Sequence, residues 1–222
     1  MFGLLSRTDQ ILQHIDGGRI LDVGCTGGAH NQEVPSNLHV ELCKRFDDVT
    51  GIDVNETNIA LMKSKCYENV FLEDAESFSF SEPFDVIVAG ELIEHLTNPA
   101  AFLLNCKKHL HKGGRIVLTT PYPFAMLHVL FSLAHYPKTC SHSEHTLWLC
   151  PSTIRELAKR CGLAVSHMSL IDNYIKNGPT MAYRVLVRFL SIFRCVIPRR
   201  LRCNSLLVLL EVFDDDATCS SC

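Results

Sequence analysis

Positive charge is scarce in this chain. Its 21 lysines and arginines are outnumbered by 24 acids, for a formal net charge of -3, so there is no bulk attraction to nucleic acid or to an anionic surface. No G-x-G-x-x-G fingerprint opens directly into a helix, and no phosphate-loop lysine follows a glycine run. Those absences argue against dinucleotide binding and against nucleoside triphosphate hydrolysis. Long apolar runs are missing too. The greasiest stretch, Met181 to Ile197, is interrupted by Arg184, Arg188 and Arg194, whereas a membrane span wants about 20 mostly apolar residues. Cysteine is plentiful at 11, yet it has no paired framework, and the opening MFGLLSRTDQ dilutes its apolar residues too quickly for a secretory signal. Free thiols in a reducing compartment are expected, with the chain cytoplasmic or peripheral at a membrane. The CSSC ending, Cys219 to Cys222, lacks the further ligands of a zinc site and the setting of a redox motif.

What is present is a globular composition, 47% apolar and 20% charged over 222 residues, enough for one domain with a developed core. Short apolar runs alternate with helical periodicity. Strands are predicted at Ile20 to Val23, Val49 to Val54, Asn69 to Leu72, Phe84 to Ala89 and Arg115 to Thr119. Helices are predicted over 4 to 15, Asn37 to Phe46, Glu56 to Cys66, and from Pro99 to a stop at Gly113-Gly114. Ser152 is expected to cap a helix to Arg160, and strands at Leu163 to Ile171 and Ser205 to Val212 close the chain around a helical insertion. This succession predicts a doubly wound α/β domain with a largely parallel sheet and an antiparallel C-terminal edge. The acceptor side would be a variable segment at about 122–150, with the insertion at about 180–200.

In such a sheet, ligands bind beyond the carboxyl ends of the strands. Those ends read Asp22 with Gly24 to Gly28, then Asp53, Asp74, Gly90-Glu91 and Thr120-Pro121. Glycines let backbone approach a ligand without a Cβ in the way. A carboxylate at the second strand end suits a ribose, whose hydroxyls donate to its oxygens, and Asp74 suits an exocyclic amine. Asp22 and Asp53 also fit simple helix caps.

ILDVGCTGG, VTGIDVN, FLEDAESFSF, PFDVIVAGELIEHL and LHKGGRIVLTTPYP, in that order, resemble the motifs of the class I S-adenosylmethionine-dependent methyltransferases, within them the type 11/23 or ubiquinone-biosynthesis O-methyltransferase-like branch. The likeness spans roughly residues 15 to 172. It implies a Rossmann-like, seven-stranded, mostly parallel sheet with an antiparallel C-terminal edge strand, and S-adenosylmethionine as cofactor. By this resemblance Asp22, Gly24, Cys25, Thr26 and Gly28 line the methionine end, Asp53 and Val54 the ribose, Asp74 and Ala75 the adenine, with Gly90 close by. Glu91 would stand near the transferred methyl. Thr26 replaces a glycine of the usual loop, and the loop after Gly28 is longer than usual. A β-branched residue there is expected to reshape the site or to leave an inactive scaffold.

GELIEHL supplies Glu91, Glu94 and His95. If helical, it puts Glu91 and His95 on one face. With a distant histidine, His142 or His145, these residues form a set able to hold a divalent ion such as magnesium; a purely structural role competes with that reading and is preferred. Methylation at oxygen needs a base, for which His95, His142 and His145 are candidates and His145 ranks first. Tyr122 and Trp148 suit the flanks of an apolar acceptor. The expected substrate is thus a small or lipid-like molecule methylated at oxygen. The alternative, a magnesium-dependent RNA 2'-O-methyltransferase, needs a basic, aromatic surface that this composition does not offer. The apolar insertion at 181 to 202 must be covered, by packing as a lid, by a second subunit or by a membrane surface.

Overall fold

A computed structural model describes residues 6–27, 35–134, 144–171, 181–193 and 195–213. Gly28, His142 and the Cys219 to Cys222 ending lie outside these residues. The elements in order are α1 (Arg7–Leu12), β1 (Ile20–Val23), α2 (Asn37–Arg45), β2 (Val49–Asp53), α3 (Glu56–Ser64), β3 (Val70–Leu72) and β4 (Phe84–Gly90). After a 3-10 turn (Ile93–His95) come α4 (Pro99–Lys108), β5 (Leu110–Pro121), α5 (Met126–Ala134), α6 (Pro151–Arg160), β6 (Leu163–Ile171), α7 (Met181–Ile192), α8 (Arg199–Arg202) and β7 (Ser205–Val212).

The seven strands lie in the order β3-β2-β1-β4-β5-β7-β6. All are parallel except β7, which runs antiparallel to both β5 and β6. The expected antiparallel pair therefore closes this side of the sheet, with β7 in the inner position and β6 at the margin. Burial explains the placement. Ser205 to Leu210 are buried without interruption, as a strand covered on both faces requires, whereas β6 is half exposed along most of its length.

Alternation along the strands divides the core into two layers. Ile116, Leu118, Leu206, Val208 and Leu210 face Phe102, Leu103, Ile154 and Ala158 from α4 and α6. Val117, Leu207 and Leu209 face the other way, with Ile11, Leu38 and Leu42 from α1 and α2. The helix starts carry local caps. Ser6 and Asp9 form a reciprocal capping box, and Asn55 and Asn98 accept the amides of Asn58 and Ala101. Cys150, not Ser152, caps α6: Pro151 takes the first helical position, so the cap falls one residue before it and Ser152 lies inside the first turn. The Gly113-Gly114 pair does not end α4, which stops at Lys108; β5 runs through it. A Cβ on Gly114 would come within 2.9 Å of the Asp85 carbonyl oxygen, so the close approach of β4 needs a glycine there.

Beneath β2, the imidazole of His39 donates from Nδ1 to Asp22 Oδ2 at 2.9 Å, with both side chains buried. Gly51 makes room for it: a Cβ on Gly51 would meet His39 Cε1 at 2.8 Å and Cys25 Cβ at 2.9 Å. Burial alone would lower the His39 pKa, but its hydrogen bonds to Asp22 and Cys43 outweigh it and hold the group up to about 9.

Candidate active site

The carboxyl ends of β1, β2 and β4, with the residues after β3, converge at one end of the sheet. After β1 the chain turns through Gly24 and Gly27, both at φ +83°, a region costly for any residue with a Cβ. Amides of Gly24 and Cys25 donate to the Ile52 carbonyl at 2.9 and 3.2 Å, tying this turn to β2. Cys25 is fully buried, and burial raises its thiol pKa far above the ordinary range. Its side chain packs with Ile59, Met62 and Val70 beneath the turn.

Thr26 is also fully buried. Its amide and hydroxyl both donate to Asp53 Oδ2, at 3.1 and 2.7 Å, and the Asn55 amide donates to Oδ1 at 3.0 Å. A carboxylate offers about four acceptor positions, so Asp53 is oriented by three donors and keeps capacity for an incoming hydroxyl. Val54 beside it is 68% exposed, an apolar surface left open at the strand end. One strand on, Asp74 accepts the Glu76 amide at 2.9 Å on Oδ1, and Ala75 is buried beneath it. Asp22 stands apart from this group, because its carboxylate faces His39.

Gly90 ends β4, and Glu91 takes a left-handed conformation at φ +56°, an uncommon backbone state for a residue with a side chain. The piece that follows is a 3-10 turn and not an α-helical turn, so Glu91 and His95 do not share a helical face as expected. Glu91 is turned toward Ser205, whose hydroxyl donates at 3.1 Å, and toward the Arg7 guanidinium at 3.7 Å. Burial raises its pKa, while Arg7 and Ser205 pull it down.

Glu94 points inward instead. Its Oε2 accepts the Thr120 hydroxyl at 3.0 Å, and its Oε1 is buried without a hydrogen-bond partner. Burial, then the neighbouring charge of Glu91, pushes its pKa up to about 8. The Glu94 carbonyl accepts both the amide and the hydroxyl of Thr146, at 2.8 and 3.0 Å, and this pins the returning segment against the 3-10 turn. His145 is thereby held beside His95, with ring centroids 4.7 Å apart, and donor atoms of Glu94, His95 and His145 lie within 4.8 Å of one another. Trp148 lies 6.1 Å from the His145 ring and 5.1 Å from that of His128, whose Nδ1 lies 2.7 Å from the Tyr122 carbonyl oxygen.

Of the sequence-predicted residues, the fold brings together Gly24, Thr26, Asp53, Val54, Asp74, Ala75, Gly90 and Glu91 along the strand ends, and Glu94, His95, His145 and Trp148 beside them. Arg7, Ser205 and Thr146 escape sequence reading, and Thr120 is legible only as a strand end. Each acts through a partner distant in the chain, and no local pattern marks that contact.

The residues present fit the cofactor of this fold: an oriented, part-exposed carboxylate, an open apolar side chain and a glycine turn lie together at the strand ends. Residues 3–168 match a family described as a methyltransferase domain. The ubiquinone biosynthesis O-methyltransferase of Dechloromonas aromatica is 29% identical over 172 residues, 71% of this chain and 70% of that protein. The one from Nitrosococcus oceani is 27% identical over 194 residues, 81% and 77% of the two chains. Among solved structures, a SAM-dependent methyltransferase from Methanosarcina mazei aligns with a TM-score of 0.63 at 16% identity, covering 95% of this chain and 100% of that one. The N-methyltransferase NodS from Bradyrhizobium japonicum, solved with S-adenosyl-L-homocysteine, aligns with a TM-score of 0.55 at 19% identity, covering 92% and 84%. The chain belongs to the methyltransferase domain family and is a class I S-adenosylmethionine-dependent methyltransferase.

Proposed function

We propose that the chain methylates a hydroxyl of a small, lipid-like acceptor. When bound, S-adenosylmethionine supplies an electrophilic sulfonium methyl. Asp53, oriented by Thr26 and Asn55, accepts from the ribose hydroxyls, and Asp74 accepts from the adenine amine. The observation that carries the choice of oxygen is the pairing of His145 with His95 beside Trp148, at the strand ends next to Glu91. A hydroxyl is a poor nucleophile until its proton leaves, and an imidazole is suited to take that proton near neutral pH. Trp148 and Tyr122 flank an apolar body, and enclosure of the site aligns the reactants and excludes water. The two relatives named above are O-methyltransferases by name, which supports the same choice.

The test is release of S-adenosyl-L-homocysteine with a series of phenols and catechols carrying alkyl tails of increasing length. Turnover is expected with hydroxyl acceptors, to rise with tail length, and to fall at least a hundredfold in His145→Ala. Turnover on amines alone, or full activity in His145→Ala, would overturn the reading.

A second reading is favoured by the unpartnered Glu94 Oε1. With His95 and His145 it makes a donor set of one carboxylate and two imidazoles, which suits a first-row divalent ion better than magnesium, a metal that prefers oxygen ligands throughout. Such an ion would supply Lewis acidity toward the acceptor oxygen, and the two histidines would then be ligands. Full activity in chelator excludes this reading; activity lost in chelator and restored by manganese or zinc establishes it.

A further inference from the structure

The described side chains of α7 are all exposed, its apolar ones included. Met181, Val185, Phe189 and Ile192 recur at the spacing of one helical face, and they are 73%, 59%, 47% and 74% exposed. Arg184 and Arg188 are exposed along one margin of that stripe. The chain leaving α7 continues the pattern with exposed Phe193 and Val196, and α8 adds exposed Arg199, Arg200 and Leu201. The apolar helix α5 packs against α8 and exposes Val129, Leu130 and Leu133, with no buried residue of its own. Isolated exposed apolar side chains are ordinary, but a run of them from α7 into α8, with more on the α5 helix that packs against α8, marks a contact surface.

Charge decides what covers it. Arg184, Arg188, Arg199 and Arg200 are exposed on it, and the sequence has no acid between residues 173 and 210, in a chain whose net charge is -3. A second copy of the chain, docking the same face, would set these arginines against their own counterparts. An anionic surface would not. The ridge is also too short to cross a bilayer: no helix among the described residues is long and apolar enough for that. An apolar stripe edged by arginines is the arrangement of a helix lying in the plane of a membrane interface.

We infer that α7, α8 and α5 form a docking surface for an anionic lipid bilayer. Topology puts this surface at the active-site end. The helix α5 follows the carboxyl end of β5, α7 follows that of β6, and α8 leads into Ser205, which donates to Glu91. His128 of α5 reaches from this surface to Tyr122 and Trp148. The inference goes beyond the proposed reaction and does not depend on it, because bilayer binding is read without methyl transfer.

The experiment is co-sedimentation of the full chain with vesicles of phosphatidylcholine alone and of phosphatidylcholine mixed with phosphatidylglycerol. Sedimentation is expected with the anionic vesicles only and should weaken with added salt. Each arginine near an anionic surface strengthens binding roughly fivefold, so Arg188→Gln with Arg200→Gln should weaken it by about tenfold or more. Val185→Asp with Phe189→Asp should abolish it; these positions are exposed, so the melting temperature and S-adenosylmethionine binding should stay unchanged. No sedimentation with anionic vesicles, or sedimentation equal in the variants, overturns the inference. So does a stable dimer that the aspartate pair dissociates while vesicle binding is absent, which would assign the ridge to a second copy.

Discussion

The hydroxyl of Thr26 donates to Oδ2 of Asp53 across 2.7 Å, and the Thr26 amide donates to the same oxygen. The residue that departs from the usual glycine loop is thus joined to the carboxylate expected to hold the ribose. Replacement by valine keeps the shape and removes the hydroxyl. Thr26→Val should lower stability by about 2 kcal/mol, the scale of a hydrogen bond to a charged group. It should also weaken S-adenosylmethionine several-fold, because Asp53 loses part of its orientation. Thr26→Ser should restore both. Denaturant melts and titration calorimetry on the three proteins check this.

Gly51 predicts a purely structural defect. A Cβ there meets His39 and Cys25 below 3 Å, so Gly51→Ala should cost roughly 1–3 kcal/mol by overpacking. In a His39→Ala background the same substitution should cost less, since the smaller side chain opens part of the space. Urea unfolding of the single and double variants measures the coupling.

His39 predicts a pH dependence. Its pKa is held up to about 9 in the folded chain, against about 6.5 when unfolded. The raised value means that the stabilisation is complete below pH 6.5 and is lost as pH rises through 9. At about 1.4 kcal/mol per unit, roughly 3 kcal/mol is at stake. Thermal melts of the wild type should show this loss between pH 6.5 and 9.5, and His39→Gln should lack it. Parallel profiles for the two proteins would contradict the assignment.

The second reading, in which Glu94, His95 and His145 hold a divalent ion, has its own test. Equilibrium dialysis with manganese or zinc should show one ion per chain, weakened at least tenfold in Glu94→Gln and in His145→Ala, with the melting temperature raised by the metal in the wild type alone. A wild type that binds no ion would contradict this reading and leave His145 as the base.

Much of the parallel half of the fold was legible because strands buried on both faces leave continuous apolar runs, as in Phe84 to Ala89, and because each ends in a residue of different character. The inner position of β7 was harder to read. The run from Ser205 to Leu210 declares burial on both faces, yet nothing in it names its neighbours. GELIEHL misled through its spacing: a helical period suggested Glu91 with His95, but the left-handed backbone at Glu91 breaks the period and sends that side chain to Arg7 and Ser205. Asp22 looked like a ligand residue for its place at a strand end, and only the packing of α2 beneath β2 reveals His39 as its partner. The outward face of α7 was equally hidden, since an apolar stripe in a sequence does not say on which side the protein lies.

The central claim is that this altered glycine turn, with Asp53 at its side, still admits the cofactor. Titration calorimetry of S-adenosylmethionine into the wild type and Asp53→Ala tests it directly. The account predicts saturable binding at one site per chain, and a loss of about 2–3 kcal/mol in the variant, roughly thirtyfold to 150-fold in affinity, with the fold intact by circular dichroism. No binding by the wild type, or equal binding by both proteins, would contradict it.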